Sequence, residues 1–98
     1  MIDKLVENLV AMADGRGNAG EILSSGFYLL DVAPEYTMRG IMTKVLARGE
    51  IKDMPFELAD AIVGEGYAKR YTASGCTFYP VSRVVGGTTI SIVCYEKS

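Results

Sequence analysis

The chain has no histidine among its 98 residues. That removes the commonest general base and the commonest metal ligand near neutral pH. It has two cysteines, Cys76 and Cys94, and no C-x-x-C, so thiolates alone cannot build a zinc site. No apolar run approaches the ~20 residues that cross a bilayer. Asp3 and Glu7 flank Lys4 at the N-terminus, which lacks the basic-then-apolar order of a secretory signal. A cytoplasmic protein without membrane contact is expected. There is no internal repeat, low-complexity tract or linker, and the length fits one domain over residues 1–98.

What is present is ordinary for a globular domain: 49% apolar and 22% charged residues, enough to bury a modest core. The net charge of −2 is unevenly spread. Residues 1–65 carry eleven acids against six bases, a net of −5, and residues 66–98 carry four bases against one acid, a net of +3. An acidic body with a basic tail region is a dipole that can orient docking.

The apolar periodicity predicts helices first and strands later. Ile2, Leu5, Val6, Leu9, Val10 and Ala13 recur at spacings of three and four, one stripe of an amphipathic helix. Asn18 with Glu21 three residues on predicts an N-cap, and Ile22, Leu23, Phe27 and Leu30 continue the spacing into a second helix. The alternative makes Phe27–Val32 a buried strand after Gly26. Pro34 fits the first turn of a third helix, with Met38, Ile41, Met42, Val45 and Leu46 as its stripe and Gly49 as its stop. Asp53 can cap a fourth helix, with Pro55 in its first turn, Phe56, Ala59, Ile62 and Val63 facing inward, and Gly64 and Gly66 at its end.

From Tyr67 the period becomes two. Tyr67–Thr72, Cys76–Val85 and Thr88–Glu96 read as three strands, joined by turns at Ala73-Ser74-Gly75 and Gly86-Gly87. The second turn is expected to have positive φ at both glycines. If Val85 faces Thr88, then Val81 faces Ile92, Tyr79 faces Cys94 and Cys76 faces Lys97. The two thiols then lie on opposite faces, roughly 10 Å apart along the strand, too far to bridge. The expected fold is α+β: about four N-terminal helices packed on a C-terminal three-stranded antiparallel β-meander.

Three patterns invite functional readings. Gly15-Arg16-Gly17-Asn18-Ala19-Gly20 matches G-x-G-x-x-G, but a dinucleotide site needs a strand before it and an acidic residue about 20 positions later. Here a helix precedes it and Asp31 comes too soon, so a capped inter-helix loop is the simpler reading. The fourth helix presents Glu57, Asp60 and Glu65, an acidic surface. Lys69, Arg70, Tyr71, Tyr79 and Arg83 interleave bases with aromatics, a pattern suited to phosphate contact and base stacking. Over residues 34–85 the order of elements, a helix passing through Gly66-Tyr67 into a hairpin, resembles that of a winged-helix domain. The resemblance implies that residues 54–63 hold the recognition position, where Glu57 and Asp60 would oppose phosphate.

No catalytic set, metal set or cofactor motif stands out. The expectation is a non-enzymatic binding protein, an adaptor or inhibitor, that docks on a protein through its acidic helix or its sheet. Small domains without a catalytic kit, including inhibitors carried by phages and mobile elements, work this way; the parallel is one of size alone. The alternatives are a nucleic-acid-binding regulator using the basic, aromatic hairpin, and a small-ligand binder using the Gly15–Gly20 loop. A homodimer through an exposed strand edge is a further expected possibility.

Overall fold

The computed structural model describes residues 1–98, with the side chain of Leu29 outside the description. Helix α1 (Ile2–Ala13) forms where the apolar stripe predicts it and buries Leu5, Val6 and Leu9. Its end runs through a loop into the short helix α2 (Ala19–Ser24). Asn18 caps α2, its side-chain oxygen accepting the backbone N–H of Glu21 at 3.1 Å. Asn8 of α1 ties this loop down, donating to the Asn18 carbonyl at 3.1 Å and accepting its N–H at 2.7 Å.

The next segment overturns the four-helix expectation. The second helix stops at Ser24, and Phe27–Thr37 is strand β1; Gly40–Glu50, expected as the third helix, is strand β2. The two form an antiparallel hairpin in which Thr37 faces Gly40, and Pro34 lies within β1 facing Thr43. An edge strand tolerates that proline, because its outer N–H positions have no ladder partner. Gly49 is no helix stop. It sits in β2 so close to Gly26 that an added Cβ would collide with the Gly26 carbonyl oxygen, and Gly26 itself holds φ +94°. The chain can leave α2 and enter β1 only because both positions lack a side chain.

A 3-10 turn (Ile51–Asp53) leads to helix α3 (Phe56–Gly66). Asp53 lies in that turn and does not cap the helix; Pro55 holds the N-cap position without a side-chain hydrogen bond. The helix runs through Gly64 to Gly66. Its buried stripe is Leu58, Ala59 and Ile62. A second 3-10 turn (Tyr67–Lys69) occupies the first half of what the sequence suggests as a strand, and β3 (Tyr71–Ala73) starts only at Tyr71.

Strands β4 (Cys76–Val85) and β5 (Thr88–Lys97) then pair in the expected register: Val85 with Thr88, Val81 with Ile92, Tyr79 with Cys94 and Cys76 with Lys97. The turn with positive φ at both central residues is Ser74-Gly75, at +52° and +75°; in the second turn Gly86 has φ +58° while Gly87 lies outside that region.

The strands form one mixed five-stranded sheet, ordered β1-β2-β5-β4-β3, with β2 and β5 parallel. With three α-helices among the described residues, the chain is α+β, but the predicted three-stranded meander is the β5-β4-β3 half of a larger sheet. Residues 34–50 form a hairpin rather than a helix, so the winged-helix order of elements is not present.

One face of the sheet is dry. Val45, Ala47, Ile90, Ile92, Cys94, Tyr79 and Val81 project from it into a core shared with Leu5, Leu9, Leu58 and Ile62 of the helices. Alternation along the strands sends Arg48, Glu50, Tyr95, Phe78 and Cys76 to the other face, which no helix covers.

Candidate functional site

Two surfaces carry the predicted residues. The first is the outer side of α3. Glu57 and Asp60 stand exposed there, and among the described residues neither is within ion-pair distance of a cation. Phe56, expected to face inward, is 82% exposed. The cause is visible on the helical wheel: Leu58 belongs to the buried stripe, and Phe56 lies about 200° behind it. Beside this ring a groove of about 170 Å³ runs along α3, lined by Ile51, Phe56, Ala59, Asp60, Val63 and Glu96. Four of these six lining residues are apolar, and the other two, Asp60 and Glu96, carry carboxylates.

Glu65 does not join this surface. Its carboxylate makes a two-pronged pair with the Arg83 guanidinium of β4, one arm at 2.7 Å from Nη2 and the other between Nη1 and Oε2. The hydrogen bonds from Arg83 hold the Glu65 carboxyl below its usual range, and the same contact raises Arg83 further. Glu65 and Arg83, read from the sequence as members of two separate binding sets, therefore occupy each other.

The remaining basic and aromatic residues also divide. Tyr79 is buried on the helix-covered face and its hydroxyl donates to Glu96 at 3.0 Å; burial first, then this contact, raises its pKa. Lys69 and Arg70 are exposed in the turn before β3. The Arg70 guanidinium lies 3.8 Å from the Tyr67 ring centroid and donates to the Tyr67 carbonyl at 2.8 Å. Only Tyr71 of this set reaches the open face of the sheet.

There it joins Phe78 of the same aromatic run and Tyr28, Arg48, Glu50 and Tyr95, which the motifs of the sequence do not single out. Tyr71 stacks on Phe78 with centroids 5.0 Å apart, Phe78 meets Tyr95 at 5.5 Å, and Tyr95 meets Tyr28 edge-on at 6.3 Å. The Tyr28 and Tyr95 hydroxyls are hydrogen-bonded at 2.6 Å. That bond first, and burial second, push Tyr95 up to about 12. Arg48 of β2 reaches across β5 to within 5.4 Å of the Phe78 centroid, and its Nε is buried with no hydrogen-bond partner among the described residues. Glu50 is 7% exposed and is met by Lys52 at 3.0 Å and Lys97 at 3.9 Å. The contact with Glu50 raises Lys52. Together these residues make a transverse stripe over all five strands. The signal that could have found it is the register itself: Tyr95 faces Phe78, and Phe78 faces Tyr71.

The Gly15–Gly20 loop follows a helix and precedes a six-residue helix, and Gly17 is pressed against Met12 of α1. Its polar contacts are those of a tied turn. The two cysteines are free, Cys76 half-buried on the open face and Cys94 buried on the other; burial pushes the Cys94 thiol up to about 12. The sheet edges are β1 and β3. Among the described residues no cluster of three or more His, Cys, Asp or Glu is placed to hold a metal ion, and no helix is long and apolar enough to cross a membrane. No protein-family model matches the chain, and comparisons with curated proteins and with solved structures find no match.

Proposed function

We propose that the protein is a non-enzymatic docking module that binds another protein through the outer side of α3. The observation that carries this reading is Phe56, an 82% exposed aromatic at the rim of an apolar groove bordered by Asp60 and Glu96. Large exposed aromatics beside a groove are the anchors of protein interfaces. The exposed carboxylates of Glu57 and Asp60 around such an anchor favour a partner segment that is basic and apolar, and they speed and orient its approach more than they tighten the complex. An adaptor or an inhibitor would use the surface in the same way.

The test uses the full chain as bait in affinity purification from its native source, with the wild type and Glu57→Lys/Asp60→Lys side by side. Asp60 is on an exposed helix face and Glu57 in the first turn, so stability should move by no more than about 1 kcal/mol each, and circular dichroism checks that the variant folds. The reading expects a basic partner retained by the wild type and depleted at least tenfold on the variant. A partner retained equally by both would remove the α3 face as the docking surface.

A further inference from the structure

The aromatic stripe on the open face of the sheet has no role in docking at α3, and its chemistry points to a different ligand. Tyr28 and Tyr71, at its two ends, are 57% and 46% exposed. Tyr71 stands on an edge strand and is already stacked nearly parallel on Phe78, at 12° between planes, so a further flat ring can extend that stack. The charges bordering the stripe are Arg48, Lys52 and Lys97 against Glu50, with Asp31, which faces Leu46, farther along β1. The balance is positive in a chain whose net charge is −2. Arg48 is held over the ring row with its Nε unpartnered among the described residues.

We propose that this face binds single-stranded nucleic acid, with bases stacking at Tyr71 and Tyr28 and phosphates meeting Lys97, Lys52 and Arg48. Flat rings in a row with interleaved cations suit a strand whose bases are unpaired; a duplex keeps its base faces hidden. Phosphates also complement the positive border, where a second copy of this acidic chain would not.

The test is fluorescence anisotropy with a labelled 12-nucleotide oligopyrimidine, titrated with the full chain at several salt concentrations. Binding should weaken linearly in log–log form, with a slope near −2, as expected for about three phosphate contacts at roughly 0.7 per contact. Tyr71→Ala should weaken it roughly five- to 150-fold, the loss of one stacked base. Lys97→Gln should flatten the salt slope by about 0.7. Both side chains are exposed, and circular dichroism checks that the fold is kept. The Glu57→Lys/Asp60→Lys variant should bind the oligonucleotide at least as well as the wild type, which separates this face from the α3 surface. No anisotropy change at low salt would overturn the proposal, as would affinity that Tyr71→Ala leaves unchanged. Dimerisation that Tyr71→Ala abolishes, without oligonucleotide binding, would assign the face to a second copy instead.

Discussion

The two faces of the sheet are made by alternate residues of the same strands, yet they do opposite work. On the covered face, Val45, Ile90, Ile92 and Cys94 are sealed under α1 and α3, and the side chains there are mostly aliphatic or small, with Phe27 and Tyr79 as the buried aromatics. On the open face, Tyr28, Tyr95, Phe78 and Tyr71 are arranged ring against ring, with Arg48 and Glu50 among them. The first face is where burial stabilises the fold; the second spends polar and aromatic groups on contacts that a core does not require. The difference teaches that in a period-two strand, stability and binding can be assigned to separate sets of residues and altered separately.

The largest expected effect comes from breaking the covered face. Ile92 is fully buried, so Ile92→Ala should cost about 2–5 kcal/mol in urea denaturation through lost burial plus the cavity left behind. Val84, on the open face and 64% exposed, is its control: Val84→Ala should stay within about 0.5 kcal/mol. Similar losses at the two positions would mean that both faces are packed.

That asymmetry was legible only where the strands alternate. Cys76–Val85 and Thr88–Lys97 show clean period-two patterning, and their pairing follows from the short glycine turn. Strand β2 misleads for a physical reason. It is an inner strand between β1 and β5, so apolar residues project from both of its sides, and Met42, Val45 and Leu46 fall at helical spacing by coincidence. Phe27–Val32 is a strand because the Gly26–Gly49 contact turns the chain there, an interaction between residues far apart in sequence. The parallel pairing of β2 with β5 is likewise set by tertiary packing and has no local signature. At the sites, the acidity of Glu57 and Asp60 was readable, whereas the exposure of Phe56 depended on including Leu58 in the buried stripe. The Glu65–Arg83 pair could not be read, because it joins a helix to a strand across the fold.

A smaller effect tests the link between α3 and the covered face. Glu65→Gln should destabilise by up to about 1 kcal/mol at neutral pH, since both partners are partly exposed. Because folding lowers the Glu65 pKa, its contribution is present above the ordinary glutamate value of about 4.3 and is lost as pH falls through the folded value. The two proteins should therefore have equal stability in urea melts at about pH 2. A gap that persists in acid would trace the loss to packing instead.

The smallest effect belongs to the open face. Tyr95 is raised to about 12, so its contribution is complete below the ordinary tyrosine value of about 10 and is lost as pH rises through 12. In an absorbance titration of tyrosinate, Tyr28→Phe should move one high-pH midpoint back towards the ordinary value. An unchanged titration would show that the hydrogen bond with Tyr28 does not hold the proton on Tyr95.

The two thiols report on the two faces at once. Under native conditions an alkylating reagent, with the product mapped by mass spectrometry, should modify Cys76 and leave Cys94 untouched until denaturant is added. Modification of Cys94 in plain buffer at the rate of Cys76 would contradict a sheet sealed on one side and open on the other.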